Sequence, residues 1–119
     1  MALALLQAAQ SGELSFTRLV ADDRVLIEAA HGRLLARPAA TLAGLIEVRG
    51  LGIRRVPYES AAVIGAVVEL AAADARRLPE PSSGQIEIAG IKLPRLAVAA
   101  GTEPLPFVLA YLKTDDAIA

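Results

Sequence analysis

Cysteine is absent from these 119 residues. That excludes disulfides, thiolate metal sites and thiol catalysis together, and it fits a reducing, cytoplasmic setting. Aromatic residues are nearly as scarce, at 3% with no tryptophan. Charge of one sign is also lacking: 12 basic residues face 13 acidic ones, for a net charge of -1. With no basic excess to neutralise phosphates and few rings to stack on bases, the chain is not expected to bind nucleic acid. The longest apolar run, 61–73, is interrupted by Glu69 and falls short of the roughly 20 residues that span a bilayer. The first residues carry no basic stretch of the kind that opens a signal peptide. A soluble chain with no membrane partner is expected. The only histidine, His31, has no nearby partner with which to build a metal site or a nucleophilic triad. No Gly-x-Ser-x-Gly, Gly-x-Gly-x-x-Gly or Gly-x-x-x-x-Gly-Lys-Ser/Thr sequence occurs.

What is present is aliphatic. Hydrophobic residues make up 55%, which argues for one folded domain over 1–119 and against disorder. Residues 2–10 space Leu3, Leu5, Leu6 and Ala9 as a helix does, and Ser11-Gly12 ends it. Residues 16–21 are expected to form a strand that stops at Asp22-Asp23. Segments 24–28 and 33–36 are expected to pair as a hairpin around His31-Gly32. After Pro38, residues 39–43 suit a short helix or turn. The apolar run 62–70 is expected to be one buried strand, and 71–78 a short helix. A loop over 79–84 leads to 85–88, which alternates as a half-buried strand should. Residues 91–98 are expected to return beside it after Gly90, with Pro94 marking an edge or an irregularity. Residues 104–112 suit a closing helix.

Three groups could carry chemistry. Asp22-Asp23 ends an apolar stretch, and carboxylates at such strand ends can hold Mg²⁺ or act as a base beside a bound phosphate; a solvated turn has the same sequence. Glu47 and Arg49 stand two apart among glycines and would share one face of an extended strand. They could serve a metal and a phosphate, or form only a surface ion pair. Arg76-Arg77 precedes Leu78-Pro79. A loop arginine there could stabilise a moving phosphoryl group or stay a solvated charge. His31 beside Gly32 suits a turn.

In combination these segments resemble the HPr kinase/phosphorylase family. Glu47-Val48-Arg49-Gly50-Leu51-Gly52-Ile53 looks like its signature segment. Leu19-Val20-Ala21-Asp22-Asp23-Arg24-Val25 resembles its strand and aspartate pair. The order and spacing also match, with Gly32, Pro38 and Gly44-Leu45 between them. Arg77-Leu78 resembles the loop arginine segment and Leu93-Pro94 the late strand. The resemblance covers nearly the whole chain and is closest to the short alphaproteobacterial form. It implies an α/β fold: part of a P-loop kinase core of the phosphoenolpyruvate-carboxykinase type, a mixed sheet with N- and C-terminal helices.

The resemblance further implies phosphorylation of a serine of the phosphocarrier protein HPr with ATP and Mg²⁺, and the reverse phosphorolysis. It implies a cytoplasmic homo-oligomer, hexameric in the family, that regulates the sugar phosphotransferase system. By position, Asp22 becomes the base, Asp23 and Glu47 the metal ligands, and Arg77 the residue at the substrate or moving phosphoryl group. Arg49, Gly50 and Gly52 shape the signature loop. The sequence departs from the family at its start. Met1-Ala2-Leu3-Ala4-Leu5 resembles the helix that follows the family's Walker A loop, so 1–119 corresponds to the catalytic domain without its first strand and P-loop. Arg54-Arg55 is also more basic than the family's usual pair. The alternative implied by the missing loop is a non-catalytic relative that binds a partner.

Overall fold

The structure is a computed structural model, and it describes residues 1–14, 16–76 and 80–114. The described residues form a mixed α/β fold of two helices and three small sheets. They gather into two compact units. One comprises Met1–Ile64 with Ile88–Ile91; the other comprises Gly65–Glu87 and the chain from Lys92 onward.

The first unit opens with α1, Ala2–Gln10. Alanine, leucine and glutamine are strong helix formers, so the segment is helical with little packing, and only Ala8 on it is buried. Its end is closed locally. The Ser11 N–H donates to the Gln7 carbonyl at 3.0 Å, and Gly12, at φ +86°, donates to Ala9 at 3.2 Å. Strands β1 (Val25–Ala30) and β2 (Arg33–Pro38) pair antiparallel, with Ala30 opposite Arg33. The two-residue turn His31-Gly32 has φ of +53° and +75°. That is the turn geometry whose twist matches a hairpin, so His31 serves the turn. A single 3₁₀ turn, Ala40–Leu42, follows.

Strand β3 (Leu45–Val48) and strand β4 (Gly52–Arg55) make a separate two-stranded ribbon. Strand β5 (Ala62–Val63) then pairs with β2, which places β2 in the centre of its sheet. Leu34 on β2 is fully buried at 0% exposure, and its carbonyl accepts the Ile64 N–H at 2.8 Å. β1 is an edge strand, and its Val25, Leu26 and Ile27 are exposed.

The second unit holds strand β6 (Val67–Leu70) and all but the joined ends of strands β7 (Gln85–Ile88) and β8 (Ile91–Val98), which lie in the order β6-β8-β7. β6 runs parallel to β8, with Val67 opposite Arg95. β7 and β8 join through Ala89-Gly90, both at positive φ, the same turn chemistry as His31-Gly32. Helix α2, Pro104–Lys113, places proline in its first turn, where the missing N–H costs nothing. It buries Val108.

Three expectations need correction and one holds. The strand over 16–21 shrinks to one parallel bridge, Leu19 to Tyr58. The apolar run 62–70 is two strands, β5 and β6, in different units, and it is only partly buried. No helix occurs over 71–76; turns take its place. The expectation for Pro94 holds: β8 is the central strand of its sheet, but β6 pairs only from Arg95 onward. Pro94 therefore meets no β6 partner, and its missing N–H breaks no bond on that side. No helix among the described residues is long and apolar enough to cross a membrane.

Candidate functional site

The parallel bridge at Leu19 fixes the start of the site in the first unit. Leu19 is 5% exposed, and its carbonyl accepts the Glu59 N–H at 2.8 Å. The chain then turns at Asp22-Asp23, both exposed, and enters β1 through Arg24. Arg24 holds φ +54°, a left-handed conformation that costs a non-glycine residue energy. Strain of that kind persists only where the surrounding structure demands it. Here it sits directly after the aspartate pair.

The ribbon β3–β4 supplies the second half. Ile46 on β3 is 2% exposed and anchors the strand. Glu47, the next residue, is exposed, as alternation requires. β3 ends at Val48, and Arg49-Gly50-Leu51 forms the turn, closed by the Leu51 N–H donating to Val48 at 2.9 Å. Arg49 therefore stands on the turn, and the expectation that it shares a strand face with Glu47 is corrected. Gly50 and Gly52 hold φ of +82° and +102°. An open cavity of about 400 Å³ is lined by Glu47, Val48, Arg49, Gly50 and Gly52.

One hydrogen bond joins the halves. The Glu47 main-chain N–H donates to Asp22 Oδ2 at 2.9 Å. Two motifs 25 residues apart in sequence thus meet, and the bond uses Oδ2 of Asp22, not Oδ1. Among the described residues, no three His, Cys, Asp or Glu side chains gather into a metal-holding group. Asp22, Asp23 and Glu47 do not form a closed cage. A cage is not what Mg²⁺ needs beside a nucleotide, because one or two carboxylates plus substrate phosphates suffice. The exposed carboxylates of Asp23 and Glu47 suit that role in chemistry. Arg77 lies outside the described residues.

Sequence reasoning missed Arg95 and its carboxylate partners Glu69 and Asp74 in the second unit. Arg95 donates to Glu69 through Nε at 3.0 Å and to Asp74 through two nitrogens at 2.8 and 3.0 Å. The Arg95 hydrogen bond holds the Asp74 carboxyl below its usual range, and Asp74 in turn raises the guanidinium. The available signal was a charge set among apolar residues in each of two strands: Glu69 in β6, and Arg95 between Leu93 and Leu96 in β8.

No family model matches the chain, and no curated protein does. Among solved structures, its fold is similar to that of the HPr(Ser) kinase/phosphatase from Coxiella burnetii. The TM-score is 0.71 at 18% identity, over 94% of this chain and 73% of that one. The likeness is one of fold: the described α/β arrangement is the arrangement found in that kinase/phosphatase.

Proposed function

We propose that residues 1–119 are the carboxylate-bearing part of an HPr(Ser) kinase/phosphorylase-type catalytic domain. The observation that carries this reading is the Glu47 N–H to Asp22 Oδ2 bond at 2.9 Å. It couples the aspartate pair to the glycine-flanked loop beside an open cavity. The shared fold with the Coxiella burnetii enzyme supports the same reading.

Phosphoryl transfer depends on positioning and charge neutralisation more than on covalent chemistry by the protein. Asp22 is suited to the proton. With Oδ2 held by Glu47, Oδ1 accepts the hydrogen of the HPr serine hydroxyl as that oxygen attacks the γ-phosphorus of ATP and ADP departs. In phosphorolysis, inorganic phosphate attacks the phosphorus of phosphoserine, the bond from phosphorus to the serine oxygen breaks, Asp22 returns the proton to that departing oxygen, and pyrophosphate is the product. Asp23 and Glu47 would hold Mg²⁺, which supplies neutralising charge on the phosphates. Arg77 would stabilise the moving group. The 119 residues contain no Gly-x-x-x-x-Gly-Lys-Ser/Thr sequence, so the nucleotide cradle comes from outside them. The setting is cytoplasmic and the assembly homo-oligomeric.

The test is phosphoserine formation on HPr, read by mass spectrometry. The chain is produced alone and behind a strand and a Gly-x-x-x-x-Gly-Lys-Ser loop. By calorimetry the chain alone shows no micromolar ATP–Mg²⁺ binding, and the extended protein does. In the extended protein Asp22→Asn lowers turnover at least about a hundredfold, as loss of a general base does, with nucleotide affinity unchanged. Asparagine keeps an oxygen for the Glu47 N–H, so the loop stays placed. Full activity in Asp22→Asn removes the base assignment, and no HPr phosphorylation by the extended protein removes the function.

A further inference from the structure

Arg95 stands on the central strand of the second unit, with its side chain only 10% exposed. It spends its donors on three separate places. Nε and Nη2 reach Glu69 near the end of β6. Nη1 and Nη2 grip both oxygens of Asp74 in the turn that follows. Nη1 also donates to the Ser83 carbonyl at 3.0 Å, in the 3₁₀ turn Pro81–Gly84. The parallel register explains the first contact. Val67 lies opposite Arg95, and Glu69 lies two residues on, diagonal on the same face.

The other contacts reach beyond the sheet. Arg76 follows Asp74 by two residues and is exposed. With Arg95 and Ser83 it lines a cavity of about 470 Å³, walled on the other side by Phe107 and Tyr111 of α2. A planar guanidinium binding a carboxylate through two bonds fixes direction as well as distance. Arg95 has committed its charge to two carboxylates and has little left for a ligand. Arg76 has the exposed head group.

We propose that Arg95 is a positioning residue that sets Arg76 at the mouth of this cavity by holding Asp74 and Ser83 to one point. The placement follows from the geometry; its use, an exposed Arg76 head group offered to a phosphate of the reaction, rests on the function proposed above. A lysine at position 95 keeps the charge but presents no fork, so it cannot hold both oxygens of Asp74 while reaching Glu69 and Ser83.

Limited trypsin digestion of the folded chain tests the placement. Cleavage after Arg76 is measured by mass spectrometry as a ratio to cleavage after Arg33 and Arg55 in the first unit. Local opening governs such cleavage, so Arg95→Met should raise the ratio about tenfold and Arg95→Lys by a smaller factor. Asp74→Asn should raise it as well. The double variant should exceed neither single change, because the two residues act through one contact. An unchanged ratio overturns the proposal, and so does equal acceleration at all three sites, which would mark general loosening. In the extended protein, Arg95→Lys should lower kcat with KM for HPr unchanged. A raised cleavage ratio with unchanged kcat upholds the placement and removes the catalytic use of the segment.

Discussion

At the residue scale, Gly44 shows the narrowest tolerance. It opens the ribbon at φ +75°, and a Cβ there would stand 2.8 Å from Tyr58 Cδ1 and 3.2 Å from the Val56 carbonyl oxygen. Both penalties act together. The left-handed backbone costs an L-residue about 1–2 kcal/mol, and the Tyr58 ring must move away from the path that continues to the Leu19 bridge. The Val56 N–H also donates to the Gly44 carbonyl at 2.8 Å, closing the ribbon's open end. Gly44→Ala is expected to lower stability by about 2 kcal/mol or more, read by urea unfolding. Gly50 and Gly32 have open space at the Cβ position, so Gly50→Ala should cost only the backbone term.

At the scale of elements, the turn after β6 is held by an ion pair whose effect depends on pH. Arg95 lowers the Asp74 carboxyl below its ordinary value of 3.8, and Arg76 adds to the effect. In the unfolded chain Asp74 titrates at its ordinary value. The stabilisation is therefore fully present above pH 3.8, and it is lost as pH falls from there through the lowered folded value. Asp74→Asn should flatten the stability profile in that acid window and leave its shape above pH 5 or so unchanged. Thermal midpoints measured across both ranges decide it. The elements themselves were unequally legible. The hairpins around His31-Gly32 and Ala89-Gly90, α1 and α2 are local, and turn residues and helix formers announce them. The run 62–70 misled because its break at Ile64–Ala66 is set by partners: β5 belongs to β2, and β6 to β8. The site divided the same way. The aspartate pair and the glycine-flanked segment were readable as separate motifs, but the bond between Asp22 and Glu47 spans 25 residues. The Arg95 contacts depend on a parallel register that no local pattern encodes.

At the scale of the whole molecule, scarcity of aromatics has a structural consequence. The buried hydrophobic set includes the alanines Ala8, Ala36 and Ala72, and among the described residues Leu34 and Val98 are the largest fully enclosed side chains. They belong to different units. Each stands on the central strand of its unit's three-stranded sheet. Leu34→Ala should cost about 3 kcal/mol, the usual result of an unfilled cavity, which is a large share of what a small domain has. The loss should be local before it is global. By hydrogen exchange, the Ile64 amide, bonded to the Leu34 carbonyl, and the β1–β2 ladder should lose protection first. The Ala72 amide, bonded to the Val98 carbonyl, reports on the other unit and should keep its protection in mild conditions. Val98→Ala should reverse the pattern. Equal loss at both amides in either variant would mean that the two sheets open as one cooperative body. The exposed carboxylates of the first unit and the arginine-bearing turn of the second could not then be loosened separately, and Leu34→Ala would speed trypsin cleavage in both units together, leaving the ratio proposed for Arg95 unchanged.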